Sequence, residues 1–155
     1  MVAAARKAAR GLQRDFGEVE NLQVSLKGPA NFVTAADRKA EKTIFEELSK
    51  ARPGYGFLME EAGVVEGADK SHRWIIDPLD GTTNFLHGIP MFSISIALER
   101  EGQLVAALVS NLTPHELFIA ENLLRAFLND RCITVSAPPH HTPAQLVTAS
   151  HAHGR

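Results

Sequence analysis

Asp77 and Asp80 stand three residues apart in a stretch reading Trp74-Ile75-Ile76-Asp77-Pro78-Leu79-Asp80-Gly81-Thr82-Thr83-Asn84-Phe85. Two carboxylates followed by a glycine and two threonines are the residue types that serve a hard cation and a phosphate together. The acids supply oxygen ligands, and Gly81 lets the backbone come close to a ligand. Thr82 and Thr83 offer hydroxyls and N–H groups at a helix start. The chemistry this points to is phosphoryl transfer to water. The same residues also make ordinary turn chemistry, Asp-Pro and then Asp-Gly, and most such turns bind nothing. Both readings stand on this stretch alone.

Something must hold these groups in place. Trp74-Ile75-Ile76 is a short apolar run of the kind that makes a buried strand. Asp77 ends it with a charge, and Pro78 removes the next ladder donor, so the strand is expected to stop there. A second apolar run, Phe57-Leu58-Met59, leads into Glu60 and Glu61. Two strands ending in acids are expected to present them at one sheet edge, where α/β proteins bind ligands. Carboxylates gathered that closely repel one another, and a metal ion is the natural reason to gather them.

With those residues in view, the nine residues from Asp77 to Phe85 resemble the signature of the inositol monophosphatase family. Val33-Thr34-Ala35-Ala36-Asp37 resembles the family's V-T-x-x-D element, Glu60-Glu61 its acidic pair, and Lys27-Gly28 its lysine-bearing mobile loop. The match keeps order and spacing from about Arg6 to about Ala149. The resemblance implies Mg²⁺-dependent hydrolysis of a small phosphate monoester such as inositol monophosphate. It places Mg²⁺ on Glu60, Asp77, Asp80 and the backbone carbonyl of Leu79. It gives Asp80, Gly81, Thr82 and Thr83 to the phosphate, and makes Glu60 and Thr82 the pair that orients and deprotonates the attacking water. Asp37 becomes a residue that orients water or a ligand from just outside the metal's own ligands, and Lys27 a mobile-loop residue. It also implies a homodimer in full-length relatives.

Composition bounds the rest. The chain has 155 residues, 45% of them apolar, and a formal net charge of −2, which fits a globular protein without a nucleic-acid footprint. No apolar run is long enough to cross a membrane and the start lacks a signal-peptide pattern, so the expected setting is cytoplasmic. Cys132 is the only cysteine and is expected to be a packing residue with no chemical role.

Val2, Ala5, Ala9, Leu12 and Phe16 recur at steps of three and four, predicting an amphipathic helix that Phe16-Gly17 ends. Val24 to Ala30 reads as a strand and then a loop. Thr34 is placed to cap a second helix, with Asp37 as the acid of a capping box, so Asp37 has a structural reading beside its functional one. Ala40, Ile44, Leu48 and Ala51 form that helix's apolar stripe, and Pro53-Gly54 ends it. His87 reads as a surface residue in the connector from Leu86 to Pro90. Ser93 to Leu98 and Leu104 to Val109 flank a polar turn and predict a hairpin. Residues 116–120, 126–128 and 132–135 read as further strands. The fold class is α+β, helices first and then a largely antiparallel sheet.

The expected organisation is one domain over residues 1–137 and a Pro- and His-rich tail over 138–155, whose His140, His141, His151 and His153 match no metal-site spacing. Two departures from the family stand out. Glu121-Asn122-Leu123-Leu124-Arg125 replaces a glycine-bearing turn, which predicts a distorted hairpin. Relatives also continue with a second α/β half, carrying a further aspartate ligand and most substrate contacts. That predicts a chain with little activity by itself, and the alternative is a non-catalytic half-domain that binds a metal or a partner. A haloacid-dehalogenase-type phosphatase is set aside because its D-x-D-G-T motif places the acids one residue closer. An EF-hand fails for want of alternating acidic ligands.

Overall fold

The computed structural model describes residues 1–22, 29–122 and 125–134. Its elements run α1 (Val2–Leu22), α2 (Pro29–Ala51), β1 (Tyr55–Met59), β2 (Gly63–Val65), β3 (Asp69–Asp80), α3 (Thr82–Leu86), β4 (Ser93–Arg100), β5 (Gln103–Asn111), β6 (Glu116–Glu121), β7 (Ala126–Leu128) and β8 (Arg131–Ile133).

The apolar stripe of α1 is buried as its periodicity requires, through Ala5, Ala8 and Leu12. Gly17 does not end the helix. Val19 is fully buried two residues further on, and its packing outweighs the cost of about 1 kcal/mol for an interior glycine. The second helix starts five residues before Thr34, at Pro29. Proline suits the first helical turn because its missing N–H has no partner there in any case. Thr34 is therefore not a cap and Asp37 is not the acid of a capping box. Pro29 and Ala30 belong to α2 rather than to a loop, and Val24 to Gly28, Lys27 among them, lie outside the described residues. Val33, Ala36, Ala40, Ile44 and Leu48 form the buried stripe of α2, whereas Ala51 is exposed. Lys7 pairs with Glu47 and Asp15 with Lys39, so α1 and α2 cross antiparallel.

The strands form one sheet in the order β2-β1-β3-β4-β5-β6-β7-β8. Among the described strands only β1 and β3 run parallel, and the other pairs are antiparallel. Helices on a largely antiparallel sheet give the α+β class read from the sequence. Trp74 and Ile76 on β3, Ile94 and Ile96 on β4, and Leu108 on β5 share the face buried against the helices. Across the opposite face, Ile75, Ala97, Ala107, Ala120, Ala126 and Ile133 stand in direct register, one per strand. β2 went unread because its Val64 and Val65 are exposed on a three-residue edge strand, which carries no alternation.

β3 does not stop at Asp77. It runs on to Asp80, with Asp77 opposite Ser95 and Asp80 opposite Ser93, so Pro78 and Leu79 together face Ile94. This is a β-bulge, and it tolerates a proline because the extra residue needs no ladder bond. Cys132 is exposed on the edge strand β8 rather than packed, since β7 covers it on one side only. Leu123 and Leu124 lie outside the described residues, as do Val135 and the whole of 138–155. β6 and β7 pair in register up to Ala120 and Ala126. No described helix is long and apolar enough to cross a membrane.

Candidate metal and phosphate site

The parallel pairing of β1 and β3 sets Met59 beside Ile76, so the next residues, Glu60 and Asp77, emerge side by side. The two carboxyl groups hydrogen-bond each other, and Asp77 is pushed up to about 7. Burial is the main cause, followed by the charge of Glu60, their hydrogen bond and the charge of Asp80. The N–H of Leu79 donates to Asp77 Oδ1 at 3.1 Å and acts in the opposite sense. Burial and neighbouring acids together disfavour the ionised form of Asp77.

Asp37 reaches the same place from α2. It is 3% exposed, its Oδ1 has no hydrogen-bond partner, and it too is pushed up to about 7. Burial comes first again, then the charges of Glu60, Glu61, Asp77 and Glu41. A buried carboxylate oxygen without a partner is costly, and here it lies among other acids. Asp80 lies exposed beyond the bulge, with Ser93 Oγ 3.5 Å from its Oδ2.

The bulge then turns into α3. Gly81 has φ +94 and precedes the first helical residue, Thr82. The first N–H groups of a helix have no intrahelical partners, so those of Thr82 and Thr83 open beside Asp80. Thr82 Oγ1 donates to the carbonyl of Leu79 at 3.0 Å. Phe85, on the buried side of α3, packs against Phe16 and Phe92 with ring centroids 5.3 and 4.9 Å away. That aromatic contact fixes the short helix on α1. A cavity of about 450 Å³ opens between Asp80, Gly81, Met91, Ser93 and Glu116.

Residues 1–155 match the family model described as the inositol monophosphatase family. The chain belongs to this family. It is 67% identical over 136 residues to an inositol-1-monophosphatase of Mesorhizobium japonicum, which covers 88% of this chain and 51% of the relative. It is 39% identical over 148 residues to a protein of Vibrio cholerae named Nus factor SuhB, covering 96% and 55%. Among solved structures, the extragenic suppressor protein suhB of Bartonella henselae in native form matches with a TM-score of 0.79 at 64% identity, covering 89% of this chain and 54% of that one. The chain thus spans about half the length of the relatives it matches.

The structure brings Glu60, Asp77 and Asp37 together, sets Asp80 and Gly81 beside them, and engages Leu79 and Thr82 with each other. Glu61, the second acid of the family's pair, is engaged by Arg38, whose Nε donates to its Oε2 at 3.0 Å, while its charge still acts on Asp37. His87 is a surface residue, with Nδ1 2.8 Å from the Thr83 carbonyl. Among the described residues, no group of three His, Cys, Asp or Glu side chains is already arranged to hold a metal ion. The donor set nevertheless fits a hard cation. Every available ligand is an oxygen, one buried oxygen lacks a partner, and two acids are pushed up to about 7 by burial and by the acids around them. Sequence reasoning missed Glu41, which is buried one turn after Asp37 on the same face of α2. Its one available signal was a charged residue falling on the stripe between Ala40 and Ile44.

Gly81 is required by geometry. A Cβ there would lie 2.9 Å from the Met91 carbonyl oxygen and 3.3 Å from Phe92 Cα, on backbone already at positive φ. Gly81→Ala is expected to cost about 1–3 kcal/mol. In a domain of this size that lowers the melting temperature by roughly 5–10 °C, read by circular dichroism. An unchanged melting temperature would show that the loop at Met91 yields freely.

Proposed function

We propose that this chain supplies the metal- and phosphate-binding half of a Mg²⁺-dependent phosphatase acting on a small phosphate monoester, with inositol monophosphate as the favoured substrate. The observation that carries this reading is the convergence of Asp37, Glu60 and Asp77 beside the Gly81 turn. Glu60, Asp77, Asp80 and the Leu79 carbonyl would hold Mg²⁺. Bound there, the ion neutralises phosphate charge and lowers the pKa of the attacking water. The N–H groups at Gly81, Thr82 and Thr83 face the phosphate oxygens, which the start of α3 favours. Asp80, at the rim, would serve both the cation and the phosphate. Glu60 takes the water's proton, and Thr82, held by the Leu79 carbonyl, orients that water. Asp37 sets the direction of the water or of a ligand from beneath.

Relatives carry about as much chain again, and we place the remaining ligand and the wall for the leaving group there. The registered apolar row from Ile75 to Ile133, on the sheet face away from the helices, supports a cover of that kind. A homodimer of the complete protein belongs to the same proposal. The Vibrio cholerae relative's name favours a second reading, in which the chain serves as a binding partner without turnover.

The test is phosphate release from inositol monophosphate with Mg²⁺, by residues 1–155 alone and mixed with the complementary half of the Mesorhizobium japonicum relative. Mixing is expected to raise the rate by at least about 100-fold, and Asp80→Asn to remove the gain. Fast turnover by residues 1–155 alone would overturn the half-site assignment. No turnover in the mixture would favour the binding reading.

A further inference from the structure

We infer that Glu41 is the residue that positions Glu60, and the inference rests on the metal reading above. Glu41 is 4% exposed, and its contacts are specific. Oε2 accepts the backbone N–H of Glu61 at 2.8 Å, and Oε1 accepts that of Ala62 at 3.0 Å. The two donors are consecutive peptide groups, and the first belongs to the peptide bond that leaves Glu60. They form the turn between β1 and β2, which closes where Met59 pairs with Gly63.

A buried carboxylate is costly without compensation, and among the described residues Glu41 has no ion pair. The two N–H groups are its compensation, and charge-assisted bonds of this kind are about twice as strong as neutral ones. A leucine here would fill the space more cheaply but would take the acceptor from both donors. The adjacent side chain is handled from the same helix, since Arg38 draws Glu61 outward to the surface. α2 therefore sorts two neighbouring acids. It pins the backbone after Glu60 through Glu41, pairs Glu61 with Arg38, and leaves Glu60 against Asp77. Asp37, one turn earlier on α2, lies within reach of the same charges. The helix thus positions one acid directly and another through the turn.

Glu41 also carries charge, so the test must separate geometry from electrostatics. Mn²⁺ binding is measured by the electron paramagnetic resonance of the free ion, at a temperature where melting curves show each protein folded. Wild type is compared with Glu41→Gln, Glu41→Asp and, as a control for the metal site, Asp80→Asn. Asp keeps the charge and both oxygens but is one methylene short of the turn. Gln keeps the length but presents a donor to one of the two N–H groups. Both variants are expected to weaken Mn²⁺ binding about tenfold or more, as for other residues that orient a ligand. Wild-type affinity in Glu41→Asp with loss only in Glu41→Gln would show a charge effect and overturn the inference. Wild-type affinity in both, with a lower melting temperature, would show a purely structural role and overturn it as well. No Mn²⁺ uptake by the wild type would overturn the metal reading and this inference together. If neither variant folds, amide exchange in the wild type decides: Mn²⁺ must slow exchange at Glu61 and Ala62, and unchanged exchange overturns the positioning role.

Discussion

Asp77→Asn is expected to make the metal-free protein more stable at pH 7.5, by a few degrees in melting temperature, while lowering its affinity for Mg²⁺ at least about 100-fold. The two effects have one cause. At that pH Asp77 is ionised beside Glu60 and Asp80, and burial adds to the repulsion. Asparagine keeps an oxygen to accept the Leu79 N–H while removing the charge. Replacing a mutually repelling acid in a binding site commonly gains stability at the expense of function. Thermal melts with and without 10 mM-range Mg²⁺, on the order of physiological excess for a weak site, give both readings at once. If the variant melts lower without metal, or still gains stability from Mg²⁺ as the wild type does, Asp77 is not the acid described here.

The second expectation concerns pH. Asp37 and Asp77 titrate near 7 in the folded protein, against an ordinary value of 3.8. Between those values the folded chain holds protons that the unfolded chain has released. Stability from this source is full below about pH 3.8, falls as pH rises through the window, and is lost above about 7. Asp69 acts in the opposite sense. Hydrogen bonds from Ser71, and then His72, hold it down at about 2, so its contribution is present above 3.8 and lost as pH falls towards 2. On these three groups the metal-free protein should therefore melt highest near about pH 4, well on the acid side of neutrality. Saturating Mg²⁺ should move the optimum upward, because the cation binds the deprotonated acids. A metal-free optimum at pH 7.5 or above would mean that Asp37 and Asp77 are not held protonated in the fold.

The wild type and Asp77→Asn should differ most where these two expectations meet, above pH 7 without metal. Below about pH 3.8 the two proteins should melt nearly together, since the acid is then neutral in the folded and the unfolded chain alike. That convergence separates charge repulsion from a packing effect, which would persist at every pH.

By itself the sequence offered the residue types on which the proposed chemistry rests, and part of the local geometry around them. Asp77, Asp80 and Gly81 are spaced so that a strand end must turn sharply into a helix, and Phe57 to Met59 and Trp74 to Ile76 are too apolar to lie anywhere but in the sheet. Glu60 accordingly leaves at the end of β1, whereas Asp77 lies within β3, which runs on to Asp80. Whether the two acids were neighbours depended on the parallel pairing of β1 with β3, a contact between distant residues that spacing does not record. The tertiary structure also decided that α2 begins at Pro29, so that Asp37 sits on a helix interior under the acids rather than at a cap. It carried β3 past Pro78 by a bulge, since the partner strand β4 continues on the other side. It left Cys132 in solvent, because a strand's apolar neighbours pack only where another layer covers them. Glu41 shows the division most clearly. Its type and position were in plain view, but its two acceptor oxygens acquire meaning only when the β1–β2 turn brings the Glu61 and Ala62 N–H groups to them. Local spacing fixes which atoms are offered, and only burial and pairing across the chain fix which of them meet.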